Sequence, residues 1–192
     1  MVTDRKREAG FTLTEMMVVV VIISLLAAVS TPLFSRDNNA RKGRDWAKIV
    51  AQLLQRARFQ AMGDRANIHV LLHRTHVDLY REDPPGTYVL LSSTPGPAPA
   101  DDKTVAIWDA RTDGTLPTEP SADFADPVVP PTAPAPANDI VFTSLGSTAN
   151  TANWRVFLRN ELLPSINPDA SFVINVGGLT GFISSNDKVT LP

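Results

Sequence analysis

Hydrophobic and polar positions divide the chain into three regimes. Residues 11–29 are almost uniformly apolar, with Glu15 the one ionisable side chain. As a helix rising ~1.5 Å per residue they cover roughly 28 Å, about one hydrocarbon core. Pro32 follows, and a proline in a helix removes one backbone hydrogen bond, which predicts a bend at Thr31-Pro32. Residues 35–43 are weak helix formers and read as a soft joint. From there Trp46, Ile49, Val50, Leu53, Leu54 and Ala57 recur at intervals of three and four, the period of a helical face that packs on a folded head. Arg44, Lys48, Arg56 and Arg58 fall between them and read as a solvated face, with Gly63 as the C-terminal stop.

Beyond Gly63 the period shortens to that of strands. Strands are predicted over 68–72 and 77–80 as a hairpin, then over 87–91, 104–108, 140–142, 155–158, 171–176 and 181–184. The fold class is α+β: a long N-terminal helix packed on a mainly antiparallel β-sheet head. Most of the 16 prolines lie between Asp83 and Asn138, which predicts a Pro-rich insertion over 83–138 that is largely extended, solvated loop. The resulting division is 1–10, 11–36 for the apolar half of the helix, 37–63 for its amphipathic half, and 64–192 for the head.

Charge and composition refine this picture at the N-terminus. The net charge of -2 gives no global case for binding nucleic acid, and with no cysteine there is neither a disulfide framework nor a thiolate site. Arg5, Lys6 and Arg7 precede the apolar run, and basic residues in that position hold the N-terminal end in the cytoplasm, placing the head outside. An ordinary signal peptide and a plain anchor both leave Glu15 unexplained, because a carboxylate in an apolar span costs roughly 2.5–3.5 kcal/mol at mid-bilayer and marks a specific partner.

Gly10-Phe11-Thr12-Leu13-Thr14-Glu15, followed by the apolar run, resembles the processing site of type IV pilins and type II secretion pseudopilins. The resemblance implies the type IV pilin fold, cleavage by a prepilin peptidase between Gly10 and Phe11, N-methylation of Phe11, and retention of the apolar helix. It assigns Glu15 to the Phe11 amine of a neighbouring subunit, an attraction strengthened where packed helices exclude water. The partners implied are major and minor pilins, the prepilin peptidase and an inner-membrane assembly platform. The location implied is a single pass of the inner membrane with a periplasmic head, then a filament. A proline at the place of Pro32 fits the same family.

Within the head, residues 58–63 leading into a strand, then 140–142 with Gly146, then 172–178, resemble the H-type pseudopilins and the FimU/FimT group of minor pilins. That group closes with a glycine-arginine pair, whereas residues 177–181 here lack the arginine. The function expected is that of a minor pilin in a pilus priming or tip complex, promoting assembly. The alternative is an H-type minor pseudopilin of a type II secretion system. A third reading, a DNA-binding pilin for natural transformation, requires clustered basic residues late in the head, and residues 182–192 offer only Lys188 beside Asp187. Nucleic acid is therefore not an expected partner.

No phosphate-cradling loop, nucleophile elbow or HExxH is present, so no catalytic residue and no cofactor is expected and the chain reads as a non-enzyme. His69, His73 and His76 invite a metal reading. On one extended strand, positions four apart stand roughly 13 Å from each other, too far to share an ion, so no metal is expected.

Overall fold

The computed structural model describes residues 12–97, 103–113, 115–121, 138–167 and 170–186, the side chains of 29–37 and 186 excepted. The chain divides into two units, Met1–Asn38 and Asn39–Pro192. One helix, α1 (Leu13–Asp64), contributes to both. Its backbone is helical through Pro32 and through the stretch read as a soft joint, so neither interrupts the helix. Nor does Gly63 end it: the helix runs to Asp64, and Arg65 takes the left-handed conformation (φ 54°) that closes helices at the following position.

Among the described residues eight strands follow: β1 (Ile68–Leu72), β2 (His76–Glu82), β3 (Tyr88–Pro95), β4 (Val105–Arg111), β5 (Asp139–Phe142), β6 (Trp154–Asn160), β7 (Ser171–Val176) and β8 (Ile183–Asn186). They form two four-stranded antiparallel sheets, in the orders β3-β2-β1-β5 and β4-β6-β7-β8. The fold is therefore α+β, with a helix packed on antiparallel sheet. Both β3 and β4 lie inside the Pro-rich region. Val105 and Ile107 of β4 are fully buried, so that region contributes core as well as loop.

Alternation along the strands decides what each sheet face buries. Ile68, Val70 and Leu72 of β1, with Val77 and Leu79 of β2, meet Val156 and Leu158 of β6 and Phe172, Ile174 and Val176 of β7 in one core. The helix enters that core through Trp46, Ala47, Val50, Leu53, Leu54, Ala57 and Ala61, all buried. Each fully buried valine or leucine side chain contributes about 1.5–3 kcal/mol relative to exposure. Ile49 is a correction to the predicted stripe. At about 100° per residue it stands on the flank of the face centred on Val50 and is 40% exposed.

Candidate functional site

At its N-terminus the helix is closed by its own side chains. The Thr12 amide and hydroxyl both donate to Oε2 of Glu15, at 2.9 and 3.0 Å, and the Glu15 amide donates back to the Thr12 hydroxyl at 3.3 Å. This is a capping box, in which an N-cap threonine and a glutamate three residues on satisfy amides that lack partners in the first turn. The negative charge also faces the positive end of the helix dipole. The Thr-x-x-Glu spacing was there to be read in the sequence, and it gives Glu15 a role within its own chain. Gly10 and Phe11, the predicted cleavage site, lie outside the described residues.

Behind the box the helix surface is apolar all round. Leu13, Met16 to Val21, Ile22, Ile23, Leu25 and Leu26 are each between 44% and 78% exposed. The one hydroxyl in the middle, Ser24, donates to the Val20 carbonyl at 2.8 Å and so shows no open donor to an apolar neighbour. Among the described residues no helix is long and apolar enough to cross a membrane. The run predicted as the span is 11–29, and Phe11 and the side chain of Val29 are outside the description.

The second face of the β3-β2-β1-β5 sheet carries a group of buried ionisable side chains. Nδ1 of His69 is 2.7 Å from Oδ2 of Asp139, and Nε2 is 3.7 Å from Oε2 of Glu82. The rings of His69 and Tyr88 meet in a T-shaped contact, centroids 5.0 Å apart. Burial pushes the His69 pKa down, but the Asp139 hydrogen bond and charge, helped by Glu82, outweigh it and the net shift is upward. Glu82 is held below the usual carboxylate range, chiefly by hydrogen bonds from the Asn67 side chain (2.8 Å) and the Gly86 amide (2.9 Å).

His73 and His76 sit elsewhere on this face, in an arrangement that the sequence-based distance argument did not cover. They are not on one extended strand: the chain reverses between them, the His73 amide donating to the His76 carbonyl at 3.0 Å. Their rings stack with centroids 4.2 Å apart, and Asp78 lies beside both.

Near the end of the helix, Arg58 also departs from the solvated-face reading. Its Nε donates to the Gly146 carbonyl at 3.1 Å, and its side chain borders Gly181, whose φ is 59°. Lys188, the residue weighed for nucleic acid, is outside the described residues.

The family model for the prokaryotic N-terminal methylation motif matches residues 5–31, the stretch that contains Gly10, Phe11 and Glu15. A crystal structure of the type IV minor pilin FimU from Pseudomonas aeruginosa shares the fold with a TM-score of 0.51. It is 13% identical, over 80% of this chain and 92% of that one. A second crystal form of FimU matches at a TM-score of 0.46 and 13% identity, over 74% and 91%. No curated protein matches the chain. The chain carries the prokaryotic methylation motif at its N-terminus, and its described residues share the α+β fold of the type IV minor pilin FimU.

Proposed function

We propose that this chain is a minor pilin of a type IV pilus, a structural subunit of a priming or tip complex that promotes filament assembly. The observation that carries this reading is the apolar surface of the helix from Leu13 to Leu26, exposed on all sides and headed by one carboxylate. A helix apolar all round requires lipid or other apolar helices as its surroundings. Before assembly, lipid would serve, with one pass of the inner membrane and the head in the periplasm. After assembly, the helices of other pilins replace lipid, and Glu15 meets the Phe11 amine of a neighbour. Both capping bonds fall on Oε2, so Oε1 can receive that ammonium while the box stays closed.

The residue roles follow from this reading. Prepilin peptidase cuts between Gly10 and Phe11, the new amine is methylated, and the assembly platform passes the subunit to the filament. Mass spectrometry of the mature chain should find Phe11 first and methylated. A mature start near Ser30 would identify an ordinary signal peptide and end the proposal. Deleting the gene should abolish surface pili. Intact pili with a loss of protein secretion would instead assign the chain to a type II secretion pseudopilus.

A further inference from the structure

We propose that His73, His76 and Asp78 form a binding site for one divalent transition-metal ion of the zinc type, at the turn between β1 and β2.

The site is built by chain reversal and strand alternation. The turn His73-Arg74-Thr75 brings the two imidazoles together, and Asp78, two residues beyond His76 on β2, projects from the same face. Oδ2 of Asp78 is 3.8 Å from Nε2 of His73 and 3.7 Å from Nε2 of His76. One ligand atom from each of the three residues lies within 4.8 Å of the other two.

The state of Asp78 points to a cation. The residue is 1% exposed, its Oδ1 accepts no hydrogen bond among the described residues, and the two imidazole nitrogens are beyond hydrogen-bonding distance of Oδ2. A carboxylate so buried is strongly disfavoured without a positive partner close by. Two imidazoles and a carboxylate are a donor set suited to zinc and its neighbours, with a fourth position left for water.

Binding requires the three groups to draw together. Around a tetrahedral ion with bonds of ~2.0–2.1 Å, ligand atoms stand about 3.3 Å apart, against 3.7 and 3.8 Å from Asp78 to the two rings and separations of up to 4.8 Å within the trio. The rings must also turn. They are nearly parallel, at 12°, so their in-plane lone pairs run side by side, and one ring has to splay to aim at a shared ion. His76 has the room to do so, its side chain being 15% exposed where that of His73 is 4% exposed.

An ion here would brace the joint between the sheets. The same turn reaches across to the second sheet through the Arg74 carbonyl, which accepts from the Ile107 amide at 3.0 Å, and through the Arg74–Glu161 ion pair at 2.8 Å. Fixing its two histidines to β2 would hold those links in place.

The test uses the full chain, without any histidine tag, in detergent micelles, titrated with Co2+ and then Zn2+. The expected result is one ion per chain, with the visible absorption of four-coordinate cobalt and displacement by zinc. His76→Gln and Asp78→Asn should each weaken binding by about tenfold or more, while His69→Gln leaves it unchanged. Metal should raise the melting temperature of the wild type, and a chelator should reverse the rise. Absence of stoichiometric binding, or binding that neither His76→Gln nor Asp78→Asn weakens, would overturn the site. Because His76 is partly exposed, its variant should fold, and circular dichroism without metal verifies this.

Discussion

The side-chain amide of Asn160, at the end of β6, donates to the main-chain carbonyl of Asn39 in the helix at 2.8 Å. This bond joins helix and sheet where the helix has no side chain in the way. Gly43 is one turn on, and a Cβ there would come within 2.7 Å of the Asn160 amide nitrogen and 2.9 Å of the Phe172 ring.

Gly43→Ala should therefore destabilise the head, against what helix propensity alone would give. Alanine is favoured over glycine in a helix interior by ~0.8–1.0 kcal/mol. Overpacking a close contact costs typically ~1–3 kcal/mol, and Asn160 is fully buried, with little room to move. A net loss of about 1 kcal/mol is expected in urea unfolding of the full chain in micelles, followed by tryptophan fluorescence. A gain in stability would show that the helix does not approach this closely.

A maximum in stability should appear at mildly acidic pH. His69 has its folded pKa raised above 6.5, so its contribution is complete below that value and is lost as pH rises through the folded pKa. Glu82 is lowered from 4.5, so its contribution is present above that value and is lost as pH falls through the folded pKa. The two overlap between pH 4.5 and 6.5. His69→Gln should flatten the alkaline limb of the unfolding profile, and an unchanged limb would count against the buried His69–Asp139 pair.

These examples show which features local sequence could carry. Hydrophobic patterning located the eight described strands to within a few residues, because, β3 excepted, apolar positions cluster where the core buries the chain. It placed Trp46, Val50, Leu53 and Leu54 together for the same reason. Gly43 was read as a weak helix former because its real constraint, the nearness of Asn160, comes from a residue far along the chain. For the histidines, the spacing argument reached only positions four apart on a strand, as His69 and His73 are, and left His73 and His76, at the two ends of a turn, unweighed. Asp78 drew no notice, since a single aspartate in a strand becomes informative only once the turn sets two imidazoles beside it. The division into two sheets was equally hidden, as strand period says nothing of which strands pair.

Gly181→Ala should be among the most damaging single changes in the head. Its φ of 59° is costly for any residue with a Cβ, and that atom would lie 2.0 Å from the Gly146 carbonyl oxygen. The same oxygen accepts from Arg58, so the insertion would also push against the bond that ties the helix to this loop. A fall in melting temperature of several degrees is expected. Leu179→Ala, two positions earlier and 77% exposed, should change it little. Similar effects from both would remove the geometric explanation.

The last prediction separates the two roles given to Glu15, as a cap in its own helix and as a charge for a neighbouring subunit. A glutamine at this position can still accept from Thr12 and complete a capping box, but it carries no charge. Thr12→Val removes the capping hydroxyl, at a cost of about 1 kcal/mol for a lost cap, and leaves the carboxylate in place. If the charge matters for assembly, Glu15→Gln should be inserted and processed normally yet fail to enter filaments, while Thr12→Val should enter them. If the cap is what matters, the order reverses. Comparing the mature variants in membranes and in sheared filaments, by mass spectrometry and immunoblotting, gives the answer. Normal incorporation of Glu15→Gln would reject the intersubunit charge pair.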